Sequence, residues 1–310
     1  MSPLRRSMHE YLAMRRGLGF KLHEAGLRLE SFVSFMEQRR ARRITSSLAL
    51  TWAQKSRSAQ PVIRAQRLGV VRDFARYLCA FDPRTEIPPA ELLPHRYRRR
   101  TPYLYTREEI QRILHAALEL PPASGLRRWT YFTLLGLLSV TGMRPGEAVN
   151  LELQDVDLKK CVLTVRRGKF DKSRWIVIHP STRDALACYL RRRERCLAGR
   201  RETHVFITTH GTRLRESYAV HAFRKLTRRI GLRGSPTKRN PRLMDFRHLF
   251  TVMTLVRLYR SGKDLQRWLP AISTFLGHHW TRETYWYIEQ HPELSRQAMK
   301  RLERRWKEAP

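Results

Sequence analysis

The sequence predicts a mainly α-helical chain with one small antiparallel β-sheet, divided into two domains. Three observations carry that prediction. Apolar residues recur at helical spacing through most of the 310 residues. Strand-type alternation is confined to one central stretch, Leu153 to Pro180. A proline-rich and arginine-rich linker, Phe81 to Thr101, interrupts the pattern once.

The first domain spans 1–95 and reads as helical throughout. Glu10 to Phe20 carries Tyr11, Leu12, Met14 and Leu18. Leu22 to Gln38 places Leu22, Ala25, Leu29, Phe32, Val33 and Met36 at helical spacing. Ser46-Ser47 opens a segment holding Leu48, Leu50 and Trp52. Pro61 precedes another helix, with Val62, Leu68, Val71, Phe74, Ala75 and Leu78. Four or five short helices with an arginine-rich polar face make a compact bundle suited to lying along a polyanion. The linker holds Pro83, Pro88, Pro89 and Pro94, then the basic run Arg96-Tyr-Arg-Arg-Arg100.

The second domain spans 103–310. Thr106-Arg-Glu-Glu109 is a capping box opening a helix. An apolar helix from about Arg127 to Val140 ends at Thr141-Gly142, a C-cap signal, and Pro145 starts the next helix. Cys161 to Val165 and Trp175 to Ile178 read as strands around a turn at Gly168 to Lys172. Val205 to Ile207 reads as one more short strand. Helices follow at Thr182–Leu197, Tyr218–Ile230 and Leu243–Tyr259. Gly277 lets the backbone turn sharply after the apolar run Ile272 to Leu276. Thr281 is placed to cap a last helix that carries Tyr285 and Tyr287.

Lysine and arginine number 62 against 27 acids, a formal net charge of +35, while 42% of residues are hydrophobic. The chain therefore folds around a core and points to a polyanionic partner, DNA or RNA being the commonest. An arginine-rich compositional bias with a solvated surface is the bland alternative. Cys79, Cys161, Cys188 and Cys196 lie far apart, as expected of reduced, mostly buried thiols in a cytoplasmic protein. No segment reaches the length of a membrane span, and no His/Cys cluster suggests a metal.

Four motifs then fall in order. They are Thr141-Gly-Met-Arg144-Pro-Gly-Glu147, Gly168-Lys169-Phe-Asp-Lys-Ser-Arg174, Asp245-Phe-Arg247-His248, and Leu276-Gly-His278 with Tyr287 nine residues on. Together they resemble the arginine, hairpin-lysine and tyrosine motifs of the tyrosine recombinases, the phage integrase family. The resemblance covers the C-terminal two thirds. The N-terminal region fits that family's DNA-clamping domain in character only. The phrase Leu269-Pro-Ala-Ile-Ser-Thr-Phe-Leu-Gly-His also looks like a subgroup carried on transposons and plasmids.

The resemblance implies a helical DNA-binding domain joined to an α+β catalytic domain, the pair clamping duplex DNA. It implies site-specific cleavage and rejoining of strands without metal, ATP or other cofactor. Arg144 and Arg247 would grip the non-bridging phosphate oxygens, a task suited to permanently charged, bidentate guanidiniums. Lys169 would protonate the departing 5′ oxygen, His278 would hydrogen-bond the phosphate, and Tyr287 would form a 3′-phosphotyrosyl link. Assembly into dimers and a tetrameric synapse on double-stranded DNA, with or without partner recombinases, is implied too. Separately from the resemblance, the basic tail from Pro292 to Pro310 carries Leu294, Met299, Leu302 and Trp306, and is expected to dock on a neighbouring protomer.

Several choices stay open on the residues alone. Lys172 competes with Lys169 for the hairpin tip. Tyr285 competes with Tyr287, although two residues on an ideal helix point about 160° apart. Glu147, three residues after Arg144, shares its helix face and is placed to orient it. His248 is either a buried structural hydrogen bonder or part of the site. The family usually has a histidine or another polar residue three positions before the second arginine, where this chain has Met244. A thioether takes no proton at neutral pH. A weaker base, recruitment of His248 or His279, and impaired activity are the competing explanations. The last would leave a DNA-binding accessory protein; a transcriptional regulator built on the N-terminal domain is a third reading.

Overall fold

The computed structural model describes residues 2–55, 60–93, 101–166, 173–234, 239–277 and 280–289, together with 296, 299, 300 and 303; the side chains of 288 and 289 are not described. Lys169, Lys172, His278, His279 and almost all of the basic tail lie outside these residues. The chain divides into two compact units, Met1–Arg99 and Arg100–Pro310.

The first unit contains four helices among its described residues: α1 (Pro3–Gly17), α2 (His23–Gln38), α3 (Ser46–Gln54) and α4 (Pro61–Cys79). Local signals explain their starts. Ser2 caps α1 through the Arg5 amide, with Pro3 at the first helical position, and Thr45 caps α3 through the Leu48 amide. Met8, Leu29, Phe32, Met36, Trp52, Leu68 and Phe74 are buried at helical spacing and form one core. Arg5 ties α1 to α2, donating from Nε to Glu37 at 3.0 Å and from Nη2 to Ser34 at 3.0 Å.

The second unit begins at α5 (Arg107–Leu118), whose capping box forms as expected: the Glu109 amide donates to Thr106 and the Thr106 amide to Glu109. Then come α6 (Leu126–Thr141), α7 (Pro145–Val149), β1 (Val156–Asp157), β2 (Val162–Val165), β3 (Arg174–Val177), α8 (Pro180–Leu197), α9 (Glu216–Arg229), α10 (Met244–Arg260), α11 (Leu265–Leu276) and α12 (Arg282–Glu289). The sheet is antiparallel in the order β1-β2-β3, with Leu163 opposite Ile176 and Val165 opposite Arg174. Its inner face is apolar: Leu163, Val165 and Ile176 are buried, while Trp175 and Val177 face out.

Three expectations change. Val205 to Ile207 is no strand: Ile207 makes only an isolated bridge to Arg213. The segment is too short and irregular to add a ladder, and its three side chains are buried instead. A strand that the sequence did not signal, β1, pairs with β2; two residues carry no readable alternation. The four cysteines are half-buried free thiols rather than interior ones.

Among the described residues no helix is long and apolar enough to cross a membrane. One large core lies beneath the sheet and α6. A smaller cluster joins α10, α11 and α12 through Val252, Leu255, Val256, Leu269, Ile272, Leu276 and Tyr287. Gly142 ends α6 in the left-handed region (φ 64°), and a Cβ there would lie 2.5 Å from Phe250 on α10. Gly142→Ala is therefore expected to cost at least about 1 kcal/mol from backbone conformation alone, measurable as a lower urea midpoint. An unchanged midpoint would contradict the left-handed backbone at Gly142.

Candidate active site

The site is assembled on the C-terminal end of α11. The last turn of any helix leaves carbonyls without intrahelical partners and carries the negative end of the helix dipole. Here three successive carbonyls each receive a different guanidinium. Arg174 Nε donates to Phe275 O at 2.7 Å, Arg247 Nη2 to Leu276 O at 2.6 Å, and Arg144 Nη2 to Gly277 O at 3.0 Å. Gly277 closes the helix in the left-handed conformation (φ 66°). The backbone turn expected at this glycine thus presents carbonyls to the arginines.

The arginines arrive from three elements. Arg144 is the residue before Pro145, at the cap position of α7. Arg174 begins β3. Arg247 lies in the first turns of α10, where it also donates from Nη1 to Gly142 O at 2.9 Å. Both glycines singled out in the sequence therefore end helices whose carbonyls hold site arginines.

Glu147 joins two of the three. Its Oε1 accepts from Arg144 Nη1 at 2.8 Å and Arg174 Nη1 at 3.1 Å. Its Oε2 accepts from the Arg144 amide at 2.9 Å and Arg174 Nη2 at 2.7 Å. The side chains of Glu147 and Arg174 are each only 8% exposed. Burial pushes the Glu147 carboxyl up, but the fork from Arg174 and the bonds from Arg144 outweigh it and hold the group at about 2. Burial pushes the Arg247 guanidinium down, and repulsion from Arg144 adds to that, leaving it at about 10 and still protonated at neutral pH. Three guanidiniums around one carboxylate leave a net positive cluster, in which like charges are held together at a cost that an anion would offset.

Tyr287 lies beside this cluster. It is 3% exposed, within the apolar contact of α10, α11 and α12. Its phenol shares a 2.8 Å hydrogen bond with His248 Nδ1, and the two rings lie 5.4 Å apart. His248, which the sequence left between two roles, is thus joined to the tyrosine through α10. Tyr285 is 43% exposed, which separates the two tyrosines as helix geometry requires. A buried 2.7 Å bond between Ser273 and Thr284 ties α12 to α11. Met244, half-buried, opens α10; its neighbour Asp245 is fully buried and accepts from the Arg242 amide at 2.8 Å.

Of the predicted residues, Arg144, Arg247 and Tyr287 come together around the end of α11. Lys169 and His278 lie outside the described residues, so their placement remains an expectation. Arg174 was missed as a site residue. Its only signal was its place at the end of the hairpin motif, before the second strand.

A mostly helical unit with a three-stranded antiparallel sheet is the fold of the tyrosine recombinase catalytic domain. The chain belongs to the phage integrase family, whose profile matches residues 104–293. It is 50% identical over 312 residues to the candidate integrase/recombinase y4rB of Sinorhizobium fredii, covering 99% of each chain. It is 24% identical to tyrosine recombinase XerC of Anoxybacillus flavithermus, covering 77% of this chain and 78% of that one. The same fold occurs in the integrase of transposon Tn1549, solved with transposon end DNA, at a TM-score of 0.65 and 16% identity over 96% of this chain and 99% of that one.

Proposed function

We propose that this chain is a site-specific DNA recombinase that cuts and rejoins strands through a 3′-phosphotyrosyl intermediate, in the service of a mobile element. The observation that carries the reading is the net positive cluster of Arg144, Arg174 and Arg247 around Glu147, next to the Tyr287 phenol. Such a cluster suits one phosphodiester. Among the described residues, two guanidinium donors of Arg144 and two of Arg247 are used on protein atoms, and each guanidinium has five. The remaining donors would serve the non-bridging oxygens, where charge builds up in the pentacoordinate transition state.

The balance of the step is simple. The Tyr287 oxygen forms a bond to phosphorus, and the bond from phosphorus to the 5′ oxygen breaks. The phenolic proton passes to His248 Nδ1, at 2.8 Å, which answers the absence of a base at Met244. Lys169 supplies a proton to the departing 5′ oxygen, and His278 adds a hydrogen bond to the phosphate. Because Tyr287 is interior here, attack requires a local opening at α12 that admits the phosphate while the phenol stays within reach of His248.

DNA is also the partner that fits the net charge of +35. The relatives' names and the DNA in the Tn1549 integrase structure support this reading. Dimers on inverted half-sites, and four protomers in a synapse, follow from it. The helical first unit would serve as the DNA-clamping domain, and the second as the catalytic one.

The test is incubation with a nicked suicide duplex of the cognate site, followed by a denaturing gel. A covalent protein–DNA adduct that Tyr287→Phe abolishes is the expected result. Specific binding with no adduct would overturn the enzymatic reading and leave a DNA-binding accessory protein.

A further inference from the structure

We infer that Arg174 is a positioning residue for strand cleavage, acting through Glu147 to fix the phosphate-gripping face of Arg144. The inference rests on the strand-cleavage reading above. Arg174 does not itself face an outside ligand. Its side chain is 8% exposed, and Nε, Nη1 and Nη2 are all engaged: Phe275 O at 2.7 Å, Glu147 Oε1 at 3.1 Å and Glu147 Oε2 at 2.7 Å.

What it does is fix a carboxylate. Arg144 reaches Glu147 through its own amide and through Nη1. Those two bonds reach one carboxylate oxygen each, Nη1 to Oε1 and the amide to Oε2, and leave each oxygen a further acceptor site. The Arg174 fork adds a second bond to each of those oxygens, so four donors from two residues pin the carboxylate. Glu147 then holds Nη1 of Arg144 at 2.8 Å while Gly277 O holds Nη2 at 3.0 Å. Two anchors at the two ends of the guanidinium set the direction of its remaining donors.

The backbone is fitted to this arrangement. A Cβ on Gly277 would lie 2.8 Å from Arg174 Nη1 and 3.1 Å from its Cζ, so the guanidinium occupies the space that only glycine leaves. Arg174 also begins β3, so one side chain joins the sheet, α7 and the end of α11. Lysine would keep the charge but not the planar fork together with the third donor.

The experiment uses the full chain and the nicked duplex, with single-turnover cleavage and duplex affinity measured separately. Arg174→Lys is expected to keep duplex affinity close to that of the unaltered chain. It should slow cleavage by about 10²-fold, the scale for a slightly misplaced catalytic group. In a Glu147→Gln background the same substitution should cost much less, because the link it acts through is already altered. The defect should persist on a substrate with sulfur in place of the bridging 5′ oxygen, which needs no proton on leaving.

Cleavage by Arg174→Lys at the unaltered rate would overturn the inference. So would equal losses in the two backgrounds, or joint loss of affinity and cleavage, which marks a merely structural role. Rescue by the sulfur substrate would place the effect on proton delivery instead and overturn it as well. Failure of the unaltered chain to form any adduct defeats the cleavage reading itself, and is seen before any variant is compared.

Discussion

Arg247→Ala is expected to slow single-turnover strand cleavage by about 10³-fold, the upper scale for loss of a preorganised donor at a developing charge. Arg247 is 2% exposed and is held from both ends, by Gly142 O at 2.9 Å and Leu276 O at 2.6 Å. On the proposed reading its guanidinium would therefore need no reorganisation when the transition state forms. Duplex affinity should fall far less, because it is spread over many surface cations. The substitution also leaves two buried carbonyls without their donor, at about 1–3 kcal/mol each. Removal of a desolvated charge that repels Arg144 offsets part of that. The two effects separate cleanly by measuring rate at saturating protein alongside the urea midpoint. A cleavage rate close to that of the unaltered chain would mean that the phosphate is held elsewhere.

Glu147→Gln is expected to have the largest effect on stability. The carboxylate is paired with both Arg144 and Arg174, and removing one partner of a buried ion pair costs about 3–5 kcal/mol. The same group gives the fold a pH dependence. Its carboxyl is held at about 2, below its ordinary value of 4.5. A depressed acid stabilises the folded chain in full above the ordinary value. That contribution is lost as pH falls from about 4.5 toward 2. Urea midpoints taken across this window should drop steeply for the unaltered chain and less for Glu147→Gln. Equal slopes for the two would show that the carboxylate is not held as described.

Much of this was legible because the signals are local. Thr106 and Glu109 announce a capping box and form one. Gly142 and Gly277 announce helix ends and adopt left-handed backbone there. Arg144 stood out by lying between a glycine and a proline, and Glu147 by sharing its helix face. The rest depended on contacts distant in sequence. Arg174 meets Glu147 across 27 residues and Phe275 across 101. One arginine among so many carries no mark of that meeting. His248 meets Tyr287 across 39 residues. A histidine after an arginine reads equally well as structure or site until α12 packs on α10. The short strand β1 was invisible because two residues cannot show a period.

The central claim is that the Tyr287 oxygen, interior and bonded to His248 in this structure, is the atom that becomes joined to DNA. The most direct test is to trap the adduct on a nicked duplex, digest it with trypsin, and fragment the linked peptide that begins at Glu283. That peptide contains both the exposed Tyr285 and the buried Tyr287. The account predicts the nucleotide on Tyr287. A nucleotide on Tyr285 would contradict it.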